Sequence, residues 1–452
     1  MVGVIRASSY SAHKKAIIIT SIIYYHSFLY KDIDLLIHSA SQLLTIAGAP
    51  QRGSELGHLG IIPDGAVLIN SNNIQAVGTT SELIKNYPHE DTLNAHGHVV
   101  MPGFVDPHTH LLWVGDRAAE FEMRLQGKTY LEILATGGGI LSTVRSTRRA
   151  SLDKMLNEAR PRLHEMLAHG TTTAEAKTGY GLQTETELRM LQALILLDAE
   201  GPLEIAPTFL GAHAIPPEFK DDPDGYTSHL CSMMLPTIHD WWISHLSTRA
   251  LPFVDVFCET GAFSLQQSRC ILEEAKSLGF PLKIHADEFD NLGGASLAAG
   301  LGAVSADHLV KTSQNDITAL AGSDTVAVAL PCTPFGLAEQ DYTPARAILD
   351  GGGLLALATD LNPGTAWGGD MQFTIALACR YLHLTPAQAI VASTLNAAAA
   401  IQRNDQVGSI EPGKQADLLI LNVADYRHLG YRFATNLVQT VIKRGKVIQE
   451  EV

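Results

Sequence analysis

A chain of 452 residues, 46% hydrophobic and 17% charged with 38 glycines, can bury a full core and has the balance of an α/β protein, which excludes the disordered and fibrous classes. The length exceeds one average domain, so a large domain with a smaller appendage is the starting expectation. A formal charge of −15 argues against duplex nucleic acid as a partner, whereas one well-placed arginine still suffices to bind a small carboxylate.

Lys14 and Lys15 precede Ala16–Tyr30, a stretch rich in Ile, Tyr, Phe and Leu. It is too short for a comfortable membrane span and ends without a clear small-residue cleavage site. Residues 1–32 therefore read as a poorly structured extension rather than a signal or anchor. From Ile33 the pattern turns strand-like: Asp34–His38, then Val67–Ile69, a polar Asn-Ser-Asn-Asn turn and Ile74–Gly78, which together predict a hairpin. Similar material returns only at Ala416–Leu421 and Val441–Ile448. A small β-sandwich domain assembled from both ends, 33–101 and 401–452, follows.

Between them, 102–400 alternates short apolar runs with helical stretches. Leu152, Met155, Leu156, Ala159, Leu163, Met166 and Leu167 recur at helical spacing, Gly170 stops the pattern, and Pro161 predicts a kink or break. Thr171–Ala176 reads as a strand, and Thr184–Glu187 as a capping box for the next helix. Further strands are expected at Pro207–His213, Val254–Glu259, Leu282–His285, Ala303–His308, Val326–Pro331 and Leu354–Asp360. With the run ending at His110 they make eight βα units, which favours a parallel (β/α)8 TIM barrel.

Cys231, Cys258, Cys270, Cys332 and Cys379 are scattered and form no CxxC pair. They exclude a disulfide framework and a cysteine zinc site, and they fit a reducing, cytoplasmic compartment.

The chemistry concentrates at strand ends. In Val105-Asp106-Pro107-His108-Thr109-His110 the two histidines fall on one face of an extended chain and can chelate one ion. His285, His308 and Asp360 end later strands, and a barrel gathers such side chains at its mouth. Each alone has a plainer reading, a histidine bonded to a backbone carbonyl or an aspartate capping a helix. N/O ligands recurring at several strand ends are hard to explain that way.

Pro-Gly-Phe-Val-Asp-Pro-His-Thr-His (102–110), His-Ala-Asp-Glu (285–288), Ala-Asp-His-Leu (306–309) and Ala-Thr-Asp (358–360) resemble the amidohydrolase superfamily. Arg117, Thr136–Ile140, Lys177–Gly181, Gly211–His213 and Asp360–Thr365 narrow the resemblance, which covers roughly 33–452, to the imidazolonepropionase family. The resemblance implies one divalent or trivalent ion per subunit, zinc or iron, held by His108, His110, His285 and Asp360; the run Val254–Glu259 has no lysine to bridge a second. It implies hydrolysis of a ring amide in histidine breakdown by metal-activated hydroxide, with Glu288, His308 and Asp360 as acid–base candidates. Arg117, Tyr180, His213, Glu288, Asn362, Gly364 and Thr365 are the implied contacts to a small anionic imidazolone. Gly137–Gly139 allow close backbone approach or lid motion, or else a plain turn. Neither nucleic acid nor a membrane is an expected partner, and the family suggests a homodimer.

Two other readings stand beside this one. Another cyclic amidohydrolase or a nucleobase aminohydrolase needs the same histidines but no clamp for a carboxylate at Arg117 and Tyr180. A non-catalytic metal-binding relative would keep the fold without turnover.

Overall fold

The chain begins with β1 (Asp34–Ala40), β2 (Gln42–Leu44), β3 (Ile61–Ile62), β4 (Gly65–Asn70), β5 (Asn73–Thr79), β6 (Thr92–Asn94) and β7 (Val99–Pro102). The barrel strands follow as β8 (Phe104–Asp106), β9 (Thr171–Lys177), β10 (Glu204–Ala212), β11 (Phe253–Cys258), β12 (Lys283–Ala286), β13 (Ser305–His308), β14 (Val326–Ala329) and β15 (Leu354–Leu357). The last three are β16 (Leu418–Leu421), β17 (Val438–Lys443) and β18 (Lys446–Glu450). This computed structural model describes residues 34–87, 91–128 and 138–450. The expected N-terminal extension, and Thr136 and Gly137 of the glycine run, lie outside the described residues.

The barrel strands pair in the order β8 to β15, each parallel to the next. Their ends close on each other: Asp360 N–H donates to the His108 carbonyl at 3.2 Å, and His110 N–H donates to the Leu361 carbonyl at 2.9 Å. The strands are buried along their length, as a sheet covered by helices requires. The expected (β/α)8 barrel is present.

Both ends of the chain build the remaining sheets, ordered β5-β4-β1-β6 and β18-β17-β16-β7-β2-β3. Ile37, Val67 and Ile69 from the first pack with Leu43, Val100, Leu418, Ile420 and Ile442 from the second in one buried cluster. The expected hairpin is β4–β5, closed by the Asn70–Asn73 pair.

Three local expectations are corrected. The run expected to end at His110 is not one strand. β7 pairs with β16, β8 pairs with β9, and Gly103 between them sits so close to Thr172 that any β-carbon would collide. The helix Leu152–Ala168 runs through Pro161 without breaking, started by Ser151, whose side chain accepts from Lys154 N–H. The helix Thr184–Glu200 has no capping box: its N-cap is Gln183, and the Glu187 carboxylate turns instead to the preceding loop. There it accepts from the N–H groups of Gly179, Gly181 and Leu182 at 3.0, 2.7 and 2.7 Å.

Candidate metal centre

β8 ends at Asp106, because Pro107 has no N–H to continue the ladder. The HxH pair therefore lies just past the strand, but alternation persists. Thr109 turns away, donating its N–H to Glu175 Oε2 at 3.1 Å and its hydroxyl to the Glu175 carbonyl at 2.6 Å. His108 and His110 then face the barrel axis.

There they meet the ends of β12 and β15. His285 Nε2 lies 3.2 Å from His110 Nε2, and Asp360 Oδ1 lies 3.4 Å from His108 Nε2 and 3.6 Å from His110 Nε2. Donors held about 2.1 Å from a tetrahedral ion stand about 3.4 Å apart, so these edges have the size of one shell. His308 belongs to the same cluster, its Nε2 3.7 Å from Glu288 Oε2. His308 and Asp360 adopt left-handed backbone angles, φ 79° and 55°, which few non-glycine residues take.

Carboxylates behind the ring fix its imidazoles. His108 Nδ1–H donates to Asp307 Oδ2 at 2.6 Å, which leaves its Nε2 a bare lone pair; that buried atom has no hydrogen-bond partner. His285 Nδ1 lies 3.0 Å from Asp255 Oδ2. Burial, reinforced by neighbouring cationic groups, holds His108 and His110 well below the usual imidazole range. Three inward imidazoles and one carboxylate are the donor set of a divalent metal site, and the residues fit such an ion.

The other expected site residues surround this centre. Burial, with Asp360 and Glu259 nearby, pushes the Glu288 carboxyl well above the usual carboxylate range. A cleft of about 240 Å³ opens beside it, walled by Phe289, Val310, Lys311, Thr333 and Leu337 among others. His213 stacks on His110 with ring centres 4.8 Å apart and donates Nδ1–H to the Gly179 carbonyl at 3.0 Å. Burial pushes the His213 imidazole down to about 3, so its other nitrogen is a neutral acceptor. Tyr180 is buried 5.3 Å from the His213 ring, and burial raises its hydroxyl above the ordinary range, keeping it a donor. Arg117 is anchored through Nε to Glu120 at 2.8 Å, with its guanidinium against Gly364, where a β-carbon would collide with it.

The 362–365 loop serves itself. Asn362 Oδ1 accepts from Gly364 and Thr365 N–H at 2.7 and 2.9 Å, while its Nδ2 donates to the Asp360 carbonyl and to Thr365 Oγ1. These bonds shape the turn that carries Asp360 and abuts Arg117.

Sequence reasoning missed Lys177, Asp255, Asp307 and Thr333 as parts of the centre. Thr333 donates its hydroxyl to Asp360 Oδ2 at 2.5 Å, leaving Oδ1 toward the histidines. The strands did carry a signal: charged residues two positions apart, or two from a ligand, inside otherwise apolar runs, as in Glu175/Lys177 and Lys283/His285.

A model of the amidohydrolase family matches residues 257–448. An imidazolonepropionase of Herpetosiphon aurantiacus is 50% identical over 416 residues, 92% of this chain and 97% of that protein. One of Chloroflexus aggregans is 51% identical over 419 residues, covering 92% and 98%. Among solved structures, an adenosine deaminase of Xanthomonas campestris with bound zinc aligns at a TM-score of 0.67 with 20% identity, covering 92% of each chain. Guanine deaminase of E. coli aligns at 0.68 with 14% identity over 93% of this chain and all of that one. These two share the fold.

Proposed function

The chain belongs to the imidazolonepropionase family of amidohydrolases, and from that premise we propose that it hydrolyses the ring amide of 4-imidazolone-5-propanoate to N-formimidoyl-L-glutamate. The observation that carries this reading is the inward cluster of His108, His110, His285 and Asp360, with His285 Nε2 3.2 Å from His110 Nε2 and Asp360 Oδ1 3.4 and 3.6 Å from His108 and His110 Nε2, beside the largely buried Glu288.

His108, His110, His285 and Asp360 would hold one zinc or iron ion. When bound, the ion supplies a Lewis acid that acidifies water and polarises the ring carbonyl. Glu288 takes the proton released as water adds to that carbonyl, and returns it to the ring nitrogen as the C–N bond breaks; its raised pKa suits a group that must both accept and give. His308 steers the Glu288 carboxyl. His213 accepts a hydrogen bond from the ring N–H. Arg117 and the Tyr180 hydroxyl hold the propionate, the feature that separates this substrate from a neutral nucleobase. Asn362, Gly364 and Thr365, which shape the adjoining turn, also contact the substrate.

We place domain boundaries after residues 101 and 400. The five free thiols support a cytoplasmic setting, and the family resemblance supports a homodimer. Among the described residues no helix is long and apolar enough to cross a membrane.

The test is direct. Purified protein is given imidazolone propionate, loss of its ultraviolet absorbance is followed, and the product is sought as formimidoylglutamate. Turnover that survives metal removal by a chelator, or a product other than formimidoylglutamate, rejects the proposal.

A further inference from the structure

Beneath the histidine ring lies a second layer of charge that the reaction does not consume. Lys177, at the end of β9, is fully buried. Its Nζ donates to Glu175 Oε1 at 2.7 Å and lies 2.8 Å from Asp255 Oδ2 and 3.9 Å from Asp307 Oδ2. Each of these carboxylates governs one part of the donor set. Glu175 receives the N–H of Thr109, the residue between His108 and His110. Asp255 faces His285 Nδ1, and Asp307 receives His108 Nδ1–H.

We infer that Lys177 is the positioning residue of the whole centre, one ammonium whose three carboxylate neighbours aim all three imidazoles at the ion. The inference rests on the metal-centre reading above. Physical chemistry supports it in two ways. Three carboxylates crowded into a dry interior repel one another, and a cation between them offsets that repulsion. A carboxylate held rigidly at one imidazole nitrogen then fixes the tautomer and the plane of the ring, so the other nitrogen presents its lone pair where the ion sits. Although burial alone would lower its pKa, Asp255, Glu175 and Asp307 keep Lys177 above the ordinary lysine range, so the cation persists at neutral pH. A second buried lysine beside the centre does not duplicate this. Lys283 donates to the Pro107 and Ala400 carbonyls at 3.3 and 3.0 Å and lies 3.9 Å from Asp307.

The alternative is that Lys177 merely balances buried charge. Two variants separate the readings. Lys177→Met keeps the length of the side chain and removes the charge. The pair K177M/E175Q removes one positive and one negative charge together, while Gln retains an oxygen for Thr109 N–H. Affinity for Zn²⁺ is measured by competition with a chromophoric chelator, alongside melting temperature and the separate kcat and KM of the zinc-loaded proteins. A positioning role predicts that the double variant recovers melting temperature relative to Lys177→Met, yet binds Zn²⁺ about ten- to a hundredfold more weakly than the parent. It also predicts that kcat falls and KM stays put, since the substrate clamp is untouched. Parental Zn²⁺ affinity and kcat in the double variant would overturn the inference and leave only charge balance. If the parent itself binds no Zn²⁺, it is the metal-centre reading that fails.

Discussion

In the proposed reaction Glu288 is the side chain that divides binding from chemistry. It sits beside the donor ring, and burial with negative neighbours holds its proton well above the usual carboxylate range. Glu288→Gln preserves the shape but cannot shuttle a proton. The expected outcome is an unchanged metal content by elemental analysis with turnover lowered at least about a hundredfold. Arg117 acts on the other side of the ledger. Arg117→Met removes the guanidinium fork and should raise KM by the equivalent of about 2–4 kcal/mol for the propionate substrate, with little effect on metal content. An unchanged KM would favour a neutral substrate. At this scale the strand-end donors were legible, because alternation alone puts His108 and His110 on one face and strand ends face the barrel mouth. Lys177, Asp255 and Asp307 were not. They meet only through the stagger of neighbouring strands, which places His285 opposite Asp307 and Phe257 opposite His285, and no spacing within one segment records that register.

Elements were read well where periodicity was strong and poorly where one side chain had two possible partners. The pattern Thr184–Glu187 suits a capping box, yet Glu187 gains three N–H groups by turning to the 179–182 loop, more than a single cap bond offers. That loop carries Tyr180, so Glu187 holds a proposed substrate contact in place from outside it. Glu187→Gln puts an amide NH₂ against one of these N–H groups at a cost of about 1–3 kcal/mol. KM should rise with kcat and metal content little changed; equal KM values would mean that Tyr180 is held by packing alone. The β7–β8 junction was missed for a related reason. Hydrophobicity is continuous through Val99–Val105, and only the choice of partner, β16 for one half and β9 for the other, divides it.

At the scale of the whole molecule, Glu204 fastens the start of β10 to the last sheet through Arg444, Lys443 at 3.1 Å, Arg403 at 3.8 Å and Gln415 at 3.0 Å. Burial opposes its charge, but Lys443 and Arg444 win and hold its carboxyl down at about 2, against 4.5 when free. A carboxyl depressed in the folded state contributes stability that is full above the free value and lost as pH falls toward the folded one. Glu204→Gln should therefore destabilise the protein by about 3 kcal/mol at neutral pH, read as a lower melting temperature. The gap to the parent should narrow as pH drops from 4.5 toward 2; a gap independent of pH would show that packing, not charge, joins the two parts. The barrel seam has its own consequence. Since the His108 carbonyl accepts from Asp360 N–H, the first and last staves are stitched together by the residues that complete the donor ring. A nascent polypeptide carries its three imidazoles out of the ribosome well before the carboxylate emerges, so the proposed donor set is complete only after nearly the whole barrel has been translated.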